Sequence, residues 1–193
     1  ALSMNATFCR KRVAYMSINL RTTSLYGISM MAGIRICGDA NYWFESGRTR
    51  NVVIRNNRFG TMATGGCSPQ AVLQIDPVIS HDARSGGTPY HGCIRFEGNL
   101  VESFDNQLIY ALSVDSLVIS RNRFVDSRRF EPRFAGLSVI DAQHCRSVTV
   151  RNNDFSGWKE NSTISLVDCS EHCLEGEEMP RMVENPNPYF YEN

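Results

Sequence analysis

The sequence predicts an all-β chain wound as a right-handed parallel β-helix, a solenoid with inserted loops, and three observations carry that expectation. First, a short apolar strand runs four times into an asparagine and then, two residues later, into a large apolar residue: 52–59, 94–101, 117–124 and 148–155. Second, the second asparagine position recurs at 57, 99, 122 and 153, so the unit repeats irregularly, as in a solenoid with loops inserted into some coils. Third, each copy has an accompanying alternating strand that ends in aspartate, at Asp76, Asp115, Asp141 and Asp168, with an earlier relative ending at Asp39. Short strands at solenoid spacing describe a parallel β-helix rather than a helical array. Its right hand follows from the chirality of parallel crossovers.

Taken in chain order, residues 1–6 already read as strand, which suggests a piece of a longer solenoid that starts in mid-pattern. The stretch 11–31 fits poorly, with Ser17-Ile18-Asn19-Leu20 as a strand and corner and Tyr26-Gly27-Ile28 as the following turn. In Gly33-Ile34-Arg35-Ile36-Cys37-Gly38-Asp39 the small apolar Cys37 is expected in the core. Asparagine tolerates the left-handed backbone that a sharp corner needs, and its amide can bond the asparagine one coil away, so Asn57, Asn99, Asn122 and Asn153 should form a ladder. Phe59, Val101, Phe124 and Phe155 should stack inside it. Insertions interrupt the coils at Gly38 to Arg48 and at Pro77 to Gly92, and the second, rich in Gly, Pro, Ser and Thr, reads as a projecting loop. Beyond Cys169 the periodicity fades. The expected organisation is one β-helix domain over 1–174 and a carboxy-terminal tail over 175–193.

Twenty basic and twenty acidic side chains cancel, so net charge favours neither nucleic acid nor an anionic membrane. No apolar run is long enough for a membrane-spanning helix. Seven cysteines are an odd count and do not read as a disulfide framework. His144-Cys145 and Cys169-x-x-His172-Cys173 lie about one coil apart, so their thiols and imidazoles can converge, but the spacing matches no familiar zinc pattern. Neither a metal nor a cofactor is called for.

Five aspartates in one column would be like charges one strand spacing apart, a glycosidase-like or cation-binding surface. The plainer reading has each one bonding backbone amides at a corner. Asp39 and Asp76 stand out because insertions follow them. Between Gly38 and Gly47 the chain gathers Asp39, Asn41, Tyr42, Trp43, Phe44 and Glu45. Aromatic rings can cover the apolar face of a sugar while carboxylates and amides take its hydroxyls. The alternative is that the rings plug the loop onto the solenoid flank.

This run, Gly33 through Gly47 followed by Arg50-Asn51-Val52-Val53-Ile54-Arg55-Asn56-Asn57-Arg58-Phe59, resembles the later coils of glycoside hydrolase family 110. Ala71-Val72-Leu73-Gln74-Ile75-Asp76-Pro77 and the Ser113-Val114-Asp115-Ser116-Leu117 corner are similar to that family too. The resemblance implies an α-1,3-galactosidase built on a right-handed parallel β-helix, hydrolysing terminal α-galactose with inversion and without a metal. An inverting reaction needs one carboxylic acid and one carboxylate base. Asp39 and Glu45 are the first candidates and Asp76 the third, with Trp43 as sugar platform, Asn41 as hydroxyl ligand, and Tyr42 and His81 beside them. The expected partner is a glycan, met in a secreted, periplasmic or cell-surface setting. The rival expectation is a noncatalytic β-helix that binds glycans or spaces a surface. Open solenoid ends are sheet edges, so pairing with a second copy or a cap is expected as well.

Overall fold

A computed structural model describes residues 2–5, 19–21, 24–29, 32–39, 41, 47–64, 71–80, 87–105, 107–132 and 136–183. Its strands wind in coils. The first holds β1 (Leu2–Asn5), β2 (Asn19–Arg21) and β3 (Ser24–Ser29), and the second β4 (Ile34–Cys37), β5 (Arg50–Arg55) and β6 (Arg58–Thr64). The third holds β7 (Leu73–Ile75), β8 (His91–Glu97) and β9 (Leu100–Ser103), and the fourth β10 (Ile109–Leu112), β11 (Val114–Ser120) and β12 (Arg123–Asp126). The fifth comprises β13 (Ile140–Gln143), β14 (Arg146–Arg151) and β15 (Asp154–Gly157). Then come β16 (Thr163–Val167), β17 (His172–Glu175) and β18 (Arg181–Val183).

Strands at the same station of successive coils pair, giving a first sheet β1-β4-β7-β10-β13-β16-β18, a second β2-β5-β8-β11-β14-β17 and a third β3-β6-β9-β12-β15. Every pairing is parallel. This is the expected parallel β-helix. β3 replaces the turn expected at Tyr26-Gly27-Ile28, and β17 and β18 carry the pairing past Cys169.

The core follows from strict alternation. In the first sheet Ile34, Leu73, Ile109, Ile140 and Ile164 share one column, and Ile36, Ile75, Ala111, Ala142 and Leu166 the next. In the second, Val52, Ile94, Leu117 and Val148 stack, as do Ile54, Phe96, Ile119 and Val150. In the third, Phe59, Val101 and Phe124 align, and the rings of Phe124 and Phe155 stack at 4.8 Å. All of these are buried, forming one continuous core from the second coil onward. Cys37 departs from expectation: one residue past Ile36, it faces outward and is half-buried, because alternation rather than apolarity sets its side.

The asparagine ladder forms as expected. The Asn57 backbone N–H and side-chain amide both donate to Asn99 Oδ1, at 2.9 and 3.1 Å. Asn99 donates in the same way to Asn122, and Asn122 to Asn153. The left-handed backbone, however, sits one residue earlier, at Asn56, Gly98, Arg121 and Asn152, with φ of 56°, 61°, 55° and 52°. Turning the chain just before the ladder residue leaves that residue's own N–H aimed at the neighbouring amide. Gly98 takes this backbone at no steric cost, and a Cβ there would come within 2.8 Å of Asn56 Oδ1, the tip of an exposed side chain that can turn aside.

Candidate functional site at the corner between the first and second sheets

Strand lengths locate the site. In the fourth coil the corner from first to second sheet is the single residue Ser113, and in the fifth it is His144 and Cys145. In the second and third coils the same corner runs from 38 to 49 and from 76 to 90. The two insertions therefore leave the solenoid one above the other. They begin as a pair: Val78 N–H donates to Gly38 O at 2.6 Å, and Asp39 bridges Val78 in parallel. The far end of the second insertion returns to the start of the first, where a Cβ on Gly38 would meet Tyr90 Cε1 at 2.7 Å.

The described ends of Pro77 to Gly92 do not project, and its middle, 81–86, lies outside the described residues. Ile79 and Ala71 form a second buried cluster with Tyr110 and Leu112, and Tyr90 packs against it, so both described ends of the insertion lie over the outer face of the first sheet. The apolar outward side chains of β10 need that cover.

Under the cover lies a set of charged groups. Asp76, 7% exposed, is gripped by Arg35, with Nε to Oδ1 at 2.9 Å and Nη2 to Oδ2 at 2.6 Å, while Gln74 Nε2 donates to Oδ2 at 3.0 Å. A two-pronged guanidinium contact fixes a carboxylate in direction as well as position. Burial pushes the Cys37 thiol pKa up, with Arg35 opposing and Asp76 assisting. Asp39, half-buried at the mouth, accepts the Asn41 N–H at 2.9 Å. Burial also raises Tyr90, with Arg48 lowering and Asp39 raising it, so phenol, guanidinium and carboxylate share one field. Behind them His91 is fully buried. Its Nδ1 accepts the Thr49 N–H at 3.1 Å, and burial together with Arg48 lowers its pKa to about 3, leaving a neutral ring.

The five aspartates do not form one column. Asp39 bridges Val78, and Asp76 follows Ile75 in the register that pairs Ile36 with Ile75, so it stands beside Cys37. Asp141 lies inside β13 opposite Tyr110 and Ser165. Asp115 belongs to β11, where Arg146 holds it at 3.0 and 2.7 Å, and Asp168 pairs with His144 Nδ1 at 2.7 Å. The aspartates share a place in the sequence pattern but not in register, because the chain shifts by a residue or two between coils. Asp141 is notable on its own: burial raises its pKa, against hydrogen bonds from Ser165 and Gln143.

The corner thus brings together Asp39, Asn41 and Asp76 among the residues singled out from sequence. Tyr42, Trp43, Glu45 and His81 lie outside the described residues. Arg35 and Arg48 were missed, while Tyr90 and His91, which flank the second insertion, and Asp141, one of the five aspartates, were given no role at this corner. Arg35 was legible, because it alternates outward between Ile34 and Ile36; Tyr90 and His91 came from a remote stretch that only the winding returns to this corner. Further along it, a groove of about 350 Å³ is lined by Gly87, Thr88, Pro89, His144, Arg146 and Asp168 among others. Among the described residues no three His, Cys, Asp or Glu side chains converge as a metal site would require.

No family model matches the chain. It is 34% identical over 128 residues to α-1,3-galactosidase B of Bacteroides thetaiotaomicron, covering 65% of this chain and 20% of that protein. It is 32% identical over 161 residues to α-1,3-galactosidase B of Phocaeicola vulgatus, covering 79% and 26%. Against α-1,3-galactosidase A of Bacteroides fragilis it is 31% identical over 134 residues, covering 69% and 22%. The chain is therefore similar to α-1,3-galactosidases over most of its own length, and spans about a fifth to a quarter of theirs.

Proposed function

We propose that this chain forms later coils of a glycoside hydrolase of family 110 type, acting on terminal α-galactosyl linkages of glycans by an inverting mechanism at the corner of the second and third coils. The observation that carries the reading is the convergence there of two insertions bearing Asp39 and Asp76, in a chain similar to α-1,3-galactosidases. Asp39 and Glu45 are the working carboxyl groups, one protonating the leaving oxygen and the other activating water. Asp76 already accepts from Arg35 and Gln74 and is nearly closed to solvent, which suits it to positioning Arg35 rather than to proton transfer. Trp43 and Tyr42 cover the sugar face, and Asn41 and His81 take hydroxyls. Such a protein works where glycans are met, at the cell surface, in the periplasm or outside.

The test uses the complete parent protein and an α-1,3-linked galactose disaccharide. Release of galactose first seen by NMR as the β-anomer is expected, with Asp39→Asn lowering kcat at least about 10²-fold. No release sinks the hydrolase reading. Glycan binding without turnover, unchanged by Asp39→Ala and lost in Trp43→Ala, would favour the noncatalytic alternative.

A further inference from the structure

The interior of the same corner carries a column that the proposed chemistry does not use. Residues 91 and 114 are register partners, and Val114 N–H lies 3.4 Å from Cys145 Sγ. The pairing of Gln143 with Val167 continues past the strand ends: His144 N–H donates to Val167 O at 2.9 Å, and Ser170 N–H to Cys145 O at 3.2 Å. That register sets Cys145 opposite Cys169 on the next rung.

Both thiols are reduced, and both face the same core cluster, Cys145 buried within it and Cys169 half-buried against it. Cys145 Sγ is 3.3 Å from Gln143 O and 3.6 Å from Ala111 O, and Cys169 Sγ is 3.4 Å from Ala142 O and 3.5 Å from Val167 O, so each sulfur leans toward the preceding coil and the two stand on successive rungs of one column. Rungs of a parallel sheet lie about 4.8 Å apart, within the α-carbon span of roughly 4.4–6.8 Å that a disulfide bridges. The pair is also asymmetric. The hydrogen bond from Cys145 lowers the Cys169 pKa, whereas burial raises that of Cys145. Cys169 is thus the thiol that reaches its thiolate first and the one that solvent can approach.

We propose that Cys145 and Cys169 are a modification site, a dithiol that closes to a disulfide across two coils on meeting a small-molecule disulfide. Cys169 thiolate attacks one sulfur of the small disulfide. That S–S bond breaks, and the leaving thiolate takes up a proton. Cys145 then gives its proton to solvent and attacks the Cys169 sulfur of the mixed disulfide, expelling the second small thiolate. Two protein thiols are oxidised and one small disulfide is reduced to two thiols. The bond fastens the corner that follows β16 to the fifth coil, beneath the groove that His144 and Asp168 line.

Oxidised glutathione is the probe. After incubation, the intact protein should carry a Cys145–Cys169 crosslink in its peptide map, with no glutathione on either residue, and its Tm should rise by about 5–10 °C. Cys145→Ser, lacking the resolving thiol, should keep one glutathione on Cys169. Should that variant fail to fold, Cys169→Ser serves instead, and its buried Cys145 should stay unmodified. A stable glutathione adduct on wild-type Cys169, a crosslink of either residue to a different cysteine, or two unmodified thiols would each overturn the proposal.

Discussion

At the residue scale, the chain uses left-handed backbone chiefly in columns, with Arg128, Asn161 and Glu178 in separate turns. Asn51, Cys93, Ser116 and Ser147 share one register position in the second sheet, with φ of 59°, 54°, 64° and 56°. Asn56, Gly98, Arg121 and Asn152 share the corner before the ladder. Such a conformation costs a residue with a Cβ about 1–2 kcal/mol, so the stacking around it must over-determine it. The ladder is part of that stacking. Asn122 Oδ1 accepts both the N–H and the side-chain amide of Asn99, and its own amide donates to Phe96 O at 2.8 Å and to Asn153 Oδ1 at 3.0 Å. Asn122→Ala strands a buried N–H and a buried carbonyl, and should cost about 2–4 kcal/mol in urea unfolding. Asn122→Asp should not rescue it, because a carboxylate has no donors for Phe96 O and Asn153 Oδ1 and would be buried with its charge. A loss under about 0.5 kcal/mol would show the ladder to be incidental.

At the element scale, the corner between the first two sheets decides both shape and site. Where the sequence allots it one or two residues the coil closes tightly; where it allots a dozen or more, the described ends of the second insertion lie over the first sheet, and Tyr90, Asp39 and Arg48 share one field. His91 opens β8 directly behind them, buried and neutral. Its folded pKa of about 3 lies below the ordinary 6.5, so between those values the unfolded chain takes up a proton that the folded chain refuses. Stability is therefore complete above the unfolded value and falls as the pH drops below it, by up to about 1.4 kcal/mol per pH unit. His91→Gln should flatten this part of the curve relative to wild type, read as unfolding free energy at pH 7.5, 6 and 5. Parallel curves would mean that His91 is protonated in the fold. The strands that flank this corner were legible from alternation, as were Asp39 and Asp76. The cover over β10 was not, because a Gly- and Pro-rich insertion reads the same whether it projects or folds back.

At the scale of the whole molecule, each coil is stabilised by the coils on either side, so stability should follow how deeply each rung is buried. β10 is buried throughout, whereas β17 and β18 are exposed or half-buried at every position. Hydrogen exchange followed by mass spectrometry should find β8, β11 and β14 the slowest segments of the second sheet and β17 and β18 markedly faster. Uniform protection across them would contradict stability that follows the burial of each rung. By itself the sequence determined the parallel β-helix, the asparagine ladder and the aromatic stack, because one short unit repeats and identical neighbours satisfy one another's hydrogen bonds and buried area. Only the tertiary structure decided which side chains share a rung. Asp76 meets Arg35 across 41 residues, Cys145 stands opposite Cys169, and the aspartates part into separate columns. The physical reason is that insertions of unequal length separate the copies along the chain without changing the spacing between rungs, so distance in sequence carries no measure of register.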